Sequence, residues 1–275
     1  MQNSIGVTIS DITPEQAEVL VALLSDAGYE GFEETDDALK AFLPEEQFNR
    51  EELQQILQPF NCSFETELIA PRNWNAEWEQ QYQPVIVEDF AGIRAHFHPP
   101  LTGVQHEIII TPKMSFGTGH HATTWQMMQL MRSIHFSGKS VFDFGSGTGV
   151  LAILAEKLGA ADVLAMDIDD WCIENAEENA ERNQCRHIKV QQGEAPPPQQ
   201  TFDIILANIN RHILIQYMPQ ISAGLNDGGI LLISGFYKEE DELLMNAAAA
   251  QRLQLNAGSE RHNWSCLKLV KQANR

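Results

Sequence analysis

The run Val141-Phe-Asp-Phe-Gly-Ser-Gly-Thr-Gly149 constrains this chain most, because Asp167 follows its first glycine by 22 residues. The order is an apolar strand, a glycine-rich turn, a helix over 150–158, a second strand over 162–166, and an acid. In an open α/β sheet this arrangement binds a nucleoside-containing cofactor across the carboxyl ends of the strands. Glycines let the backbone approach the ligand without an intervening Cβ. The first amides of the following helix then meet a negatively charged group. An acid at the end of the second strand accepts hydrogen bonds from a ribose diol.

Spacing decides which cofactor. Dinucleotide sites favour G-x-G-x-x-G, whereas here Asp143 precedes Gly145-x-Gly147-x-Gly149. The form D-x-G-x-G-x-G resembles the first motif of class I S-adenosylmethionine-dependent methyltransferases. A second segment, Phe116-Gly-Thr-Gly-His-His-Ala-Thr-Thr124, resembles the F-G-T-G-T-H-P-T-T loop of the bacterial ribosomal protein L11 methyltransferases. Asn73-Trp-Asn-Ala-Glu-Trp78 is similar to that family's N-W-x-x-x-W linker, and Ala207-Asn-Ile209 to its A-N-I. The resemblance covers nearly the whole chain. It departs at His120, which stands for a threonine, at Ala122 for a proline, and at Asn210 for a leucine.

Composition narrows the partners. The net charge is −20. Residues 1–70 hold 15 Asp and Glu against Lys40 and Arg50, a balance of −13, and residues 71–275 carry −7. Such a chain repels phosphate backbones, so naked nucleic acid is not an expected partner. A basic protein is, because complementary fields speed encounter. No apolar run reaches the length of a membrane span. The opening Met-Gln-Asn-Ser-Ile-Gly lacks a basic stretch followed by an apolar one, so no secretory signal is expected. Cys62, Cys172, Cys185 and Cys266 are scattered, as free thiols of a cytoplasmic protein are. A monomer is expected.

Three segments emerge. Residues 1–70 read strand, helix, strand, strand, helix, strand, the order of a ferredoxin-like unit. The first helix opens at Thr13-Pro-Glu-Gln with Val19, Leu20, Leu23 and Leu24 as its apolar stripe. The second starts at Pro44 and carries Phe48, Leu53, Ile56 and Leu57. Residues 71–83 form a linker helix on which Trp74 and Trp78 share a face. Either they staple the linker to one domain or one ring lines the substrate path. Residues 84–275 form the Rossmann-like catalytic domain, with a mostly parallel sheet closed by an antiparallel hairpin over 253–255 and 265–270. A fifth strand is expected over 230–234. His96 and His98 share a strand face, but two histidines without further ligands do not make a metal site. No metal is expected.

The cofactor's parts need different surfaces. Gly145, Gly147 and Gly149 form the floor under its amino acid and ribose. Asp167 accepts the ribose hydroxyls, and Glu194 either receives the adenine amino group or is an exposed loop acid. Phe116, Gly117 and Thr118 fold over the ligand. The resemblance implies that Thr124 contacts the cofactor; threonine is also a good helix cap. Asn208, at the end of the fourth strand, is the candidate catalytic residue, its amide oxygen orienting a nucleophilic amine and also touching the cofactor. His120 and His121 are candidates for accepting an amine proton. Methyl transfer to nitrogen needs a neutral amine held in line, so no catalytic triad is expected.

The resemblance implies a protein N-methyltransferase that modifies lysine ε-amines and the N-terminal α-amine of ribosomal protein L11. The alternatives are methylation of another protein, a tRNA or a small molecule. From other classes come a nicotinamide-dependent oxidoreductase, opposed by the missing G-x-G-x-x-G, and a non-catalytic cofactor-binding module, opposed by Asn208 and the 116–124 loop.

Overall fold

The computed structural model describes residues 3–35, 38–69, 82–113 and 115–273. They fall into two compact units, Met1–Gln80 and Gln81–Arg275. Asn73, Trp74 and Trp78, and with them most of the expected linker helix, lie outside the described residues.

The first unit runs β1 (Ser4–Ser10), α1 (Pro14–Asp26), β2 (Glu30–Glu34), β3 (Ala38–Pro44), α2 (Arg50–Leu57) and β4 (Ser63–Ile69). The sheet order is β2-β3-β1-β4, and every pair is antiparallel. This is the ferredoxin-like arrangement. Thr13 and Gln16 cap α1 reciprocally: Thr13 Oγ1 accepts from Gln16 N at 3.3 Å and Gln16 Oε1 from Thr13 N at 2.9 Å. The apolar stripe differs from expectation. Ala17, Leu20 and Leu24 are buried, whereas Val19 and Leu23 turn outward. Positions three and four apart share a helix face, and the smaller Ala17 completes it. The second helix also starts later than expected. Pro44 ends β3, Glu45–Gln47 makes one tight turn, and Asn49 Oδ1 caps α2 by accepting from Glu51 N and Glu52 N. Phe48 therefore precedes the helix.

The second unit opens with β5 (Val85–Val87), β6 (Ala91–Ala95) and β7 (His106–Ile110) in a small separate sheet. His96 and His98 do not share a strand face, because β6 stops at Ala95 and the chain turns. His98 Nδ1 accepts from Ala95 N instead. Then follow α3 (Ala122–Met131), β8 (Ser140–Phe144), α4 (Val150–Lys157), β9 (Asp162–Asp167), α5 (Asp170–Arg182), β10 (Ile188–Gln192), β11 (Phe202–Asn208), α6 (Arg211–Ala223), β12 (Leu225–Tyr237), α7 (Asp241–Ala249), β13 (Leu253–Arg261) and β14 (Trp264–Lys271).

The large sheet has the order β10-β9-β8-β11-β12-β14-β13. The first five strands are parallel, and β14 runs antiparallel to both neighbours. Parallel strands covered on both faces are apolar almost throughout, and β8 and β11 read that way. β12 is longer than expected. Its pairing with β11 slips between Phe202 and Ile204, so that Asp227-Gly-Gly229 bulges and the strand starts at Leu225. The strand order reverses between β8 and β11, which opens a crevice at their carboxyl ends.

Candidate active site

The turn after β8 is held by backbone. Gly145 N and Ser146 N both donate to Met166 O, at 2.8 and 2.9 Å. Gly145 and Gly147 have φ of 77° and 53°, a region that L side chains rarely adopt. A Cβ on Gly147 would collide with the Phe116 carbonyl oxygen, and one on Gly145 with Ile209. The glycines thus let two loops close onto the turn. Phe116 O accepts from Thr148 N at 2.9 Å, and Gly117 O from Thr148 Oγ1 at 2.8 Å. Asp167 locks the same turn from β9: its Oδ2 accepts from Gly147 N at 2.8 Å and its Oδ1 from Asp169 N at 3.3 Å.

Asp143 lies beneath this turn and is fully buried. Its Oδ2 accepts from Ala152 N at 3.0 Å inside α4, and its Oδ1 has no protein partner. Burial pushes its carboxyl up to about 7, and the nearby Asp167 charge adds to the rise.

A cleft of ≈ 640 Å³ runs along the ends of the strands. Of the residues expected to bind cofactor, Phe116, Gly145, Gly147, Asp167, Glu194 and Asn208 line it. Gly117, Thr118, Thr124 and Gly149 do not. Gly117 fastens the loop to Thr148. Thr118 Oγ1 pairs with His120 Nδ1. Thr124 is buried in α3, where its Oγ1 accepts from Asn208 Nδ2 at 3.2 Å. Gly149 precedes α4 and packs against Ala176. The two histidines separate. His120 is tied through Nε2 to Gln83 O and lies off the cleft. His121 lines the cleft and caps α3, its Nδ1 accepting from Thr123 N. Burial lowers its pKa.

Asp167, Asp169 and Glu194 line the cleft together with the exposed Ile168 and Trp171. Carboxylates suit a diol, and flat apolar surface suits an adenine ring. Asp167, Asp169 and the Cys172 thiol come within 4.8 Å of one another. Burial raises the Cys172 pKa. Phe116, His121, Asn208, Ile209 and Trp264 line the cleft as well. The buried Asn208 Oδ1 has no protein partner, and a buried acceptor without one is an exception that calls for a ligand or water. Carboxylates, exposed apolar faces and a buried acceptor without a protein partner, all on residues lining one cleft, fit S-adenosylmethionine and an incoming amine.

Sequence reasoning passed over Ile168, Trp171, Cys172 and Trp264 as site residues. The first three follow directly on Asp167, and their nearness to that acid is the signal that could have found them. Trp264 has no local signal, because antiparallel pairing across the sheet brings it in.

The family model described as ribosomal protein L11 methyltransferase (PrmA) matches residues 2–272. The ribosomal protein L11 methyltransferase of Porphyromonas gingivalis is 40% identical over 269 residues, covering 94% of this chain and 93% of that one. Its counterpart from Chlorobaculum tepidum is 39% identical over 235 residues, 81% of each chain. A solved structure, the ribosomal protein L11 methylase of Lactobacillus delbrueckii subsp. bulgaricus, superimposes with a TM-score of 0.65 at 30% identity, over 70% of this chain and all of that one.

Proposed function

Since the chain belongs to the ribosomal protein L11 methyltransferase family, we propose that it methylates lysine ε-amines and the N-terminal α-amine of ribosomal protein L11. The methyl donor is S-adenosylmethionine. Its sulfonium supplies an activated methyl group: the S–CH₃ bond breaks, the electron pair returns to sulfur, and the amine lone pair forms the new N–CH₃ bond.

The protein's own part is positioning. Gly145 and Gly147 bring the turn close to the ligand. Asp167 keeps lone pairs for the ribose hydroxyls after taking Gly147 N and Asp169 N. Ile168 and Trp171 flank the adenine, and Glu194 takes its amino group. Asn208 carries the amine: Thr124 fixes its Nδ2, which leaves Oδ1 to accept an amine N–H and turn the lone pair toward the methyl group. That unpartnered, solvent-excluded Oδ1 on a residue lining the cleft is the observation that carries the reading. Lysine has an unperturbed pKa of about 10.4, so activity rises with pH as the neutral amine becomes common.

Residues 1–70, with their balance of −13, recognise the basic substrate. The chain acts as a cytoplasmic monomer. Among the described residues no helix is long and apolar enough to cross a membrane. The test is incubation with methyl-labelled S-adenosylmethionine and ribosomal proteins, followed by peptide mass spectrometry. Label on amines of ribosomal protein L11 is expected. Label on tRNA or a small molecule instead, or none, overturns the reading.

A further inference from the structure

The loop that carries Phe116 is fastened at two places. On one side Thr148, in the glycine turn, donates from N to Phe116 O at 2.9 Å and from Oγ1 to Gly117 O at 2.8 Å. On the other side the loop meets the first described residues of the second unit. His120 Nε2 lies 2.9 Å from Gln83 O, and His120 Nδ1 lies 3.1 Å from Thr118 Oγ1. A carbonyl can only accept, so Nε2 carries the proton, and Nδ1 of the neutral ring accepts from the Thr118 hydroxyl. The Tyr82 ring packs edge-on against the His120 ring with centroids 4.8 Å apart, and it also meets Phe97 at 6.2 Å and His98 at 6.0 Å. Between the two fastenings, a Cβ on Gly119 would collide with Ile93 of β6 and press on Val85 of β5. We infer that His120 is a positioning residue that joins the exit of the expected 71–83 linker to the cofactor turn, so that bound cofactor and an ordered exit favour each other. This rests on the reading that the 116–118 loop folds over S-adenosylmethionine and that residues 1–70 present the substrate.

The path is short and continuous: Gln83 O, the His120 ring, Thr118, the Gly117 carbonyl, then Thr148 in the turn. Residues 115–121 form neither helix nor strand, so no ladder of their own fixes their course and the fastenings decide it. Imidazole suits the bridge because one rigid ring offers a donor at one nitrogen and an acceptor at the other. A side chain ending in a single hydroxyl is too short to reach both partners. His120 is exposed and does not line the cleft, so its influence on the ligand runs through the loop. Coupling of this kind is reciprocal: what the cofactor gains from a linker exit held in place, the exit gains from bound cofactor. A substrate unit that orders the linker thereby strengthens the hold on the methyl donor.

The test is amide hydrogen exchange of the full chain, free and saturated with S-adenosylhomocysteine. In the wild type the ligand should slow exchange over 82–87 about fivefold, the worth of one hydrogen bond, as well as over 115–120. His120→Ala should keep the slowing in the loop and lose it over 82–87. His120→Gln, whose amide takes the place of Nε2, should restore part of it. A bond that only stabilised the fold would change exchange equally with and without ligand and leave that ratio as in the wild type. Thr118→Val breaks the other link with little change of shape; it should lose the slowing too, and it replaces His120→Ala should that variant not fold. No slowing over 82–87 in the wild type, or slowing that survives in either variant, overturns the coupling. Ribosomal protein L11 takes no part in this measurement. Coupling without methylation of that protein removes the proposed function and leaves the link, and methylation without coupling does the reverse.

Discussion

Replacing Asp143 with asparagine tests how the floor of the cofactor turn is built. The carboxyl is fully buried, accepts one bond from Ala152 N, and leaves Oδ1 unpartnered. Burial lifts its pKa from 3.8 to about 7. Between those values the folded chain holds a proton that the unfolded chain has released. Stability therefore falls as pH rises through the window, by about 1.4 kcal/mol per unit and about 4 kcal/mol over the whole of it. Below the window the group contributes nothing to the pH dependence, and above it the loss is complete. Asparagine has nearly the same shape and keeps an oxygen for Ala152 N, but it does not titrate. Urea unfolding without cofactor at pH 5, 6, 7 and 8 gives the difference between variant and wild type. That difference should move in favour of Asp143→Asn by about 2 kcal/mol from pH 5 to pH 7 and then level off. Parallel curves for the two proteins would show that Asp143 is ionised throughout and that burial does not govern it.

Three further outcomes are expected. Gly147→Ala places a methyl against the Phe116 carbonyl in a left-handed conformation costing roughly 1–2 kcal/mol; calorimetry should show S-adenosylmethionine affinity falling at least about tenfold, and unchanged affinity would detach the 116–118 loop from the site. Asn179→Asp keeps the acceptor for Thr111 N but loses the donor to Thr148 O, leaving a carboxylate facing a carbonyl. It should cost about 1–3 kcal/mol in thermal unfolding, and an unaltered midpoint would contradict those bonds. Association with ribosomal protein L11 should slow between about 0.1 M and 1 M salt, as the Debye length shrinks from about 10 Å to about 3 Å. Cofactor binding should respond less, and equal salt sensitivity of the two would refute charge-guided recognition.

Much of the fold was legible because local rules and tertiary structure agreed. Strands β8 and β11 are buried on both faces, so their apolar runs stand out. Thr13 and Gln16 announced α1 through the reciprocal cap. Failures came where a neighbour decided. The apolar stripe of α1 depends on which residues the sheet covers, and that selected Ala17 over Val19. The bulge that lengthens β12 exists only through its pairing with β11. Pro44 looked like the opening of α2, but it ends β3, and Asn49 offered two bonds to helix amides and set the start six residues later.

The site was legible where one element carries several functions. Turn, acid and loop lie close in sequence to the strands that present them, so Gly145, Gly147, Asp167, Glu194 and Phe116 fall along one cleft with Asn208. What supports them was hidden. Asn175 and Asn179 on α5 and Asn183 at its C-cap recur every fourth residue, and the sequence alone shows only a polar helix face. In the fold Asn183 bonds both Ile109 N and Ile109 O, Asn179 bonds Thr111 N and Thr148 O, and Asn175 bonds Thr111 O. These asparagines thus satisfy backbone groups at the end of β7 that no strand satisfies, and one of the five bonds reaches the cofactor turn itself. Buried amides need such partners. Periodicity marks a buried face, but which backbone it meets is set by a segment more than sixty residues away. That long reach is also why Trp264, supplied by the final strand, completes a cleft whose other markers lie upstream.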